Sequence, residues 1–166
     1  MNAKEKQTKF IKLHLKPFLK NRDYKNSNQT WWKDRGDFYN VINLQNFSWN
    51  TKDKFEFRFN LGIALKATLK DRTLKKVTHF DCVTHLGDVA FLPDSKNRRF
   101  GSNLGYEIKS ETDLDDFMIS FFNDFSNYVL PKFEEPSNLK ELIDFYKRFE
   151  FWGTQLEKQI EINKLI

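Results

Sequence analysis

The chain has 166 residues, of which 39% are hydrophobic and 16% aromatic, and its formal net charge is +5. This much large apolar surface excludes an intrinsically disordered chain, and the length is typical of one domain, residues 1–166, that folds without disulfides or a metal. Cys82 is the single cysteine, the N terminus is Lys-rich, and no apolar run is long enough to span a membrane. We therefore expect a cytoplasmic protein with no membrane partner.

The first half of the chain predicts a helix followed by antiparallel strands. Residues 3–21 place apolar side chains at helical spacing, with Pro17 expected to kink the helix. A polar loop over residues 21–29 leads to a hairpin whose strands run from Thr30 to Lys33 and over residues 37–47. The clearest strand is 54–65, where large apolar residues alternate with polar or small ones.

The middle of the chain is less regular. The basic stretch 66–76 fits either a loop or a short helix, and both remain open. Residues 80–92 predict one or two strands broken near Gly87, and a loop over residues 93–105 precedes a strand from Tyr106 to Lys109.

The last third changes to helical period. One helix is predicted from Thr112 to just before Pro131, a second is capped by Ser137, and a third begins with a Thr154 capping box. The order predicts an α+β fold, in which an antiparallel meander sheet carries an N-terminal helix and C-terminal helices packed on it.

Several short motifs resemble those of the bacterial family called Domain of Unknown Function 4304. The resemblance covers about residues 5–145 and implies this family's fold and a bacterial origin, with no assigned activity. The family pattern has an Arg three residues after the cysteine, where this chain has His85. The motifs are Lys16-Pro17-Phe18-Leu19, Gly36-Asp37-Phe38, Val41-Ile42-Asn43-Leu44-Gln45, Leu61-Gly62-Ile63, Cys82, Leu86-Gly87 and Leu130-Pro131.

His79, Cys82 and His85 supply residue types that bind zinc or form a Cys/His nucleophile. An extended strand would hold the two histidines about 20 Å apart, so only a turn could gather them. A buried cysteine and hydrogen-bonded histidines are the favoured interpretation, and no metal or cofactor is predicted. A hydrolase or metalloenzyme centred on these residues is the third functional hypothesis.

The charge is unevenly distributed along the sequence. Residues 1–106 hold 21 Lys and Arg against 10 Asp and Glu, whereas residues 107–166 hold 7 against 13. The leading hypothesis is a non-enzymatic module that binds a protein, and by analogy an immunity-type protein that neutralises a toxin would fit it. The alternative is a nucleic-acid-binding domain with a basic, aromatic surface. The residues predicted to form the interaction surface are Lys75, Lys76, Arg98 and Arg99.

Overall fold

A computed structural model describes residues 1–71, 73, 75–93, 98–102 and 104–166. Parts of the basic stretch 66–76 and of the loop 93–105 lie outside these residues. Within them, six strands form one antiparallel sheet. The strands are β1 (Lys25–Ser27), β2 (Thr30–Asp34), β3 (Phe38–Asn46), β4 (Lys54–Leu65), β5 (Leu86–Gly87) and β6 (Tyr106–Lys109).

The sheet is a meander from β1 to β4, and β5 and β6 then share the far edge of β4. β3 and β4 pair along their length, from Phe38 opposite Leu65 to Asn46 opposite Phe57.

The predicted α+β fold with an antiparallel sheet is confirmed. β1 was not predicted, because its three residues lie in a stretch rich in turn-forming side chains. The strand predicted over 80–92 is reduced to β5, with short 3₁₀ helices at His79–Asp81 and Asp88–Phe91.

One face of the sheet, here the helix face, carries the odd-numbered apolar residues of β4 and packs against the helices. These are α1 (Ala3–Phe10), α2 (Lys16–Lys20), α3 (Leu114–Asp124), α4 (Leu130–Phe133), α5 (Leu139–Tyr146) and α6 (Glu150–Ile162). The core between them is largely aromatic. Phe121 lies at its centre, with its ring centroid 4.8 Å from that of Phe10 and 4.4 Å from that of Phe125.

Both long helices run through a proline by means of a π-helical turn. Ile11–Leu15 joins α1 to α2, and Phe125–Val129 joins α3 to α4. In each, the backbone N–H of the residue after the turn donates to the carbonyl oxygen of the residue five positions earlier. The wider turn lies just before Pro17 or Pro131, whose nitrogen has no hydrogen to donate. The prediction that the helix ends before Pro131 is wrong, because this turn accommodates the ring.

The predicted helix starts need correction. Asp113 caps α3, accepting from the Asp116 amide at 3.0 Å, and Asn138 caps α5. Thr154 lies inside α6 and donates its hydroxyl to the carbonyl of Glu150. The sequence predicted Thr112 and Ser137 as the starts of these helices, because several small polar residues serve equally well as an N-cap.

The other face of the sheet, here the outer face, is divided into two parts. Trp32, Tyr39, Val41 and Ala64 are buried beneath Leu69 and Val77 of the segment that follows β4. That segment begins with a 3₁₀ helix at Lys66–Thr68, and its other described residues up to 76 are not helical. Near the C-terminal end of β3 and in the N-terminal half of β4, the outer face carries polar side chains and is partly exposed.

Candidate binding surface

His79 and His85 are brought together by a turn. The 3₁₀ helix His79–Asp81 reverses the chain before β5 pairs with β4, and the two imidazole centroids lie 5.7 Å apart. The chain here is therefore not the extended strand that would separate the two rings. The sequence predicted that only a turn could bring His79 and His85 together, and the structure contains such a turn.

Asp81, which lies between the histidines, is occupied by the turn itself. Its carboxylate accepts hydrogen bonds from the backbone amides of Thr78 at 2.8 Å and Lys70 at 3.0 Å. The first bond caps the start of the 3₁₀ helix and the second ties it to the segment after β4, so the acid has a structural role. Among the described residues, no group of three or more His, Cys, Asp or Glu side chains could hold a metal ion.

Cys82 is partly buried and its thiol packs on β4. A Cβ atom added to Gly62 would lie 2.8 Å from the Cys82 Sγ, which shows how closely the two segments approach. Burial raises the pKa of the Cys82 thiol far above its usual value, and the charge of Asp81 raises it further. The thiol is thus protonated at neutral pH, whereas a nucleophilic cysteine requires a lowered pKa.

Five aromatic rings form a continuous row at this place, which we call the ring row. In spatial order they are Phe80, His79, His85, Trp152 and Phe151, with centroid separations of 4.4, 5.7, 5.0 and 4.8 Å. The two terminal members are the most exposed, because Phe80 is 71% accessible and Phe151 is 62% accessible. The row is therefore an aromatic strip with an apolar ring open to solvent at each end.

The first turn of α6 supplies two of these rings. Gly153 permits the close packing that places them, because a Cβ there would lie 2.5 Å from the carbonyl oxygen of Tyr146. A groove of about 350 Å³ runs beside the row. Its walls are Cys82, Val83, His85, Phe151, Trp152, Gln155 and Gln159.

The histidines of the row are held neutral. Partial burial lowers the pKa of His79, and burial together with the nearby His79 lowers the pKa of His85. Because the ordinary histidine pKa is about 6.5, both rings are uncharged at pH 7. The ring row therefore carries no charge of its own under neutral conditions.

The four basic residues predicted as an interaction surface differ in their exposure to solvent and in their ion pairs. Lys75 and Lys76 are exposed, and Arg99 is exposed and pairs with Asp116 at 3.3 Å. The Arg98 side chain is only 8% accessible and bonds to the carboxylate of Asp88 at 2.7 Å. Arg98 therefore contributes to the interior and not to a basic surface.

The Arg98 guanidinium belongs to a buried polar cluster beneath the sheet. It lies 4.6 Å from the ring centroid of Tyr106, whose hydroxyl donates to Asp124 at 3.2 Å. Burial raises the pKa of Asp88 to about 6, although Arg98 opposes this shift. No local pattern in the sequence indicates this pair, since its partners are ten positions apart in the chain.

The family model described as Domain of unknown function (DUF4304) matches residues 15–135. The chain belongs to this family. No curated protein and no solved structure matches the chain.

The matched region of this DUF4304 protein contains His79, Phe80 and His85, whereas Trp152 and Phe151 lie beyond it. The ring row is therefore assembled from the family's matched region and from a C-terminal helix outside it. The ring row could not be predicted from sequence because its two parts, residues 79–85 and 151–152, are far apart in the chain.

Among the described helices, none combines the length and the apolar content needed to cross a bilayer.

Proposed function

We propose that this chain is a non-enzymatic module of the bacterial cytoplasm that binds another protein through the ring row. The observation that carries the proposal is the pair of exposed rings, Phe80 and Phe151, at the ends of a continuous aromatic strip. Exposed contiguous apolar surface is typical of interaction sites, and aromatic residues are enriched where binding energy is concentrated.

The charge around the row indicates the character of the partner. The Lys70 Nζ lies 5.8 Å from the ring centroid of Phe80. Lys76 is exposed and only three residues from His79, a separation of at most about 11 Å along the chain. An acidic partner with an apolar projection would complement this arrangement, and a toxin neutralised by an immunity-type protein would be one such partner.

The test is an affinity purification from host lysate with three baits, which are the wild type, the double variant Phe80→Ser with Phe151→Ser, and the control Ile119→Ser. Ile119 is 72% exposed on α3 and is not part of the row. We expect one stoichiometric protein on the wild type and on the control, and its loss on the double variant. Equal retention by all three folded baits would refute the ring row as the binding surface.

A second candidate, nucleic-acid binding, is favoured by a row of lysines along the first helix. Lys12, Lys16, Lys20 and Lys25 line one cleft in which Asp23 is the only acidic residue among the described ones. Within the part of the chain that is described, none of these four lysines forms an ion pair. Clustered lysines of this kind bind phosphate backbones with strong salt dependence.

Mobility-shift titrations with single- and double-stranded oligonucleotides at low and raised salt test this candidate. Binding that weakens steeply with salt, and that is lost on Lys16→Glu with Lys20→Glu, would support it. The control is Lys140→Glu with Lys158→Glu, two exposed lysines of α5 and α6. If no shift occurs even at low salt, the candidate is eliminated.

A further inference from the structure

Trp49 is an exposed indole that is held in a fixed position. It lies in the connection between β3 and β4 and is 56% accessible. Its ring stacks on Phe47 with a centroid separation of 4.7 Å and an interplanar angle of 2°. Its Nε1–H donates to the Glu56 carboxylate at 3.0 Å. One indole face is therefore covered by protein, and the ring is fixed as a platform with solvent-exposed surface.

The platform lies beside the uncovered polar part of the outer face. Glu56, Arg58 and Asn60 point to that face from alternate positions of β4, with about 7 Å between successive side chains. Gln45 of β3 is directly opposite Arg58. The indole, the amides and the guanidinium thus occupy one continuous surface.

These polar side chains retain unused hydrogen-bonding groups. The Gln45 Oε1 accepts from the Arg58 Nε at 3.3 Å and from the Asn60 Nδ2 at 3.1 Å. Within the described part of the chain, the Gln45 amide N–H groups, the Arg58 Nη groups and the Asn60 Oδ1 have no hydrogen-bond partner. The network therefore holds these side chains together while leaving both donors and acceptors without a partner among the described residues.

The charges next to the platform favour a neutral ligand. Glu56 and Glu107 face each other across β4 and β6, and Lys54 lies 3.2 and 3.3 Å from their carboxylates. The hydrogen bond from Trp49 lowers the pKa of Glu56, which is thus ionised at neutral pH. Lys109 lies 3.3 Å from Glu107 as well, so the two carboxylates are matched by two lysines and this border of the platform carries no excess of charge that would select a charged ligand.

We propose that this surface binds a neutral carbohydrate. The apolar face of a pyranose ring would pack on the exposed indole of Trp49. Its hydroxyl groups, which both donate and accept, would bond to the free groups of Gln45, Arg58 and Asn60. The site is separate from the ring row and does not depend on the function proposed for that row.

The experiment is to apply the full-length protein to an array of neutral oligosaccharides of glucose, N-acetylglucosamine, mannose and galactose. The glycan with the highest signal is then titrated by calorimetry. Trp49→Ala should weaken binding by at least about tenfold, as expected for loss of stacking on an aromatic ring. Trp49→Phe should retain part of the affinity, and Gln45→Ala should weaken binding by a smaller factor.

The control is the double variant Phe80→Ser with Phe151→Ser, which should bind the glycan as the wild type does. Circular dichroism establishes that each variant is folded. Absence of binding to every neutral glycan by the folded wild type would overturn the proposal, as would an unchanged affinity of Trp49→Ala. Trp49-dependent binding of an oligothymidylate without glycan binding would assign the platform to nucleic acid and would equally overturn it.

Discussion

The two faces of the sheet are built from the same strands but are completed in different ways. On the helix face, Phe57 and Phe59 of β4 lie under helices and belong to a buried, largely aromatic core. On the outer face, Ala64 of the same strand lies under Leu69 and Val77, and Gly62 packs against Cys82 and Thr84. Arg58 and Asn60 remain partly exposed. The helix face thus determines the fold, whereas the outer face and its border carry the surfaces available for binding.

This difference follows from how each face is covered. A helix covers a sheet with a continuous apolar stripe, so it protects a long row of large side chains at once. The segment after β4 contributes only a few apolar residues, including Leu69 and Val77, and protects only part of its face. The outer face therefore has fewer buried apolar residues and a larger proportion of polar ones.

The largest expected effect is on the helix face. Phe121→Ala should reduce the free energy of unfolding by about 3–5 kcal/mol, because the ring is fully buried and its removal leaves a cavity. The control is Ile119→Ala on the exposed side of the same helix, with an expected change within about 0.5 kcal/mol. Urea unfolding followed by circular dichroism measures both. Equal effects of the two variants would contradict the assigned orientation of α3.

A comparable loss is expected where the helix face contains charge. Arg98→Met would leave the buried Asp88 carboxylate unpaired, at a cost of about 3–5 kcal/mol. Adding Asp88→Leu should recover much of that loss, since it removes the unpaired charge. Arg99→Ala, at an exposed ion pair, should change stability by less than about 1 kcal/mol. If the double variant were no more stable than Arg98→Met, the Arg98–Asp88 pairing would be refuted.

On the outer face, Gly62→Ala tests the segment that covers it. The added methyl group would clash with the carbonyl oxygen of Thr84 and with Cys82, so we expect a loss of about 1–3 kcal/mol. Gly87→Ala is the matched control, because its nearest atom would be 3.9 Å away. Amide exchange should increase near residues 82–84 in the first variant only. Equal behaviour of the two variants would show that the segment does not pack tightly on β4.

The helix face was largely predictable from sequence, and the outer face was not. Alternation in residues 54–65 predicted β4 correctly because burial on one side leaves a period of two in the sequence. The predicted helix caps were wrong by one to five residues, and at Asp113 and Asn138 the error arose because a polar neighbour could serve as the cap. Pro131 was assigned to a helix end because a π-helical turn has no recognisable sequence pattern.

The binding surfaces depend on contacts that no local pattern records. Trp49 belongs to a connection between strands, and only the stacking on Phe47 and the bond to Glu56 reveal it as a fixed platform. The ring row requires contact between His85 and Trp152, which are distant in the chain. Arg98 was predicted to be exposed because charged residues usually are, and its burial depends on a partner that sequence spacing does not reveal.

The smallest expected effect is a pH dependence that separates the two faces. Because burial raises the pKa of Asp88 to about 6, the folded state binds more protons than the unfolded state between about pH 4 and 6. Asp88 therefore favours folding at low pH, and this contribution is lost as pH rises through 6. The lowered pKa values of His79 and His85 act in the opposite direction, since the folded state there binds fewer protons as pH falls through about 6.5.

Unfolding free energies of the wild type and Asp88→Asn between pH 4.5 and 7.5 separate these contributions. The wild type minus the variant should decrease with rising pH by about 1–2 kcal/mol, because only Asp88 is removed by the substitution. The histidine contribution remains in both proteins and cancels in the difference. A difference that increases with pH would mean that Arg98 outweighs burial at Asp88, and the helix face would then contain a fully compensated ion pair.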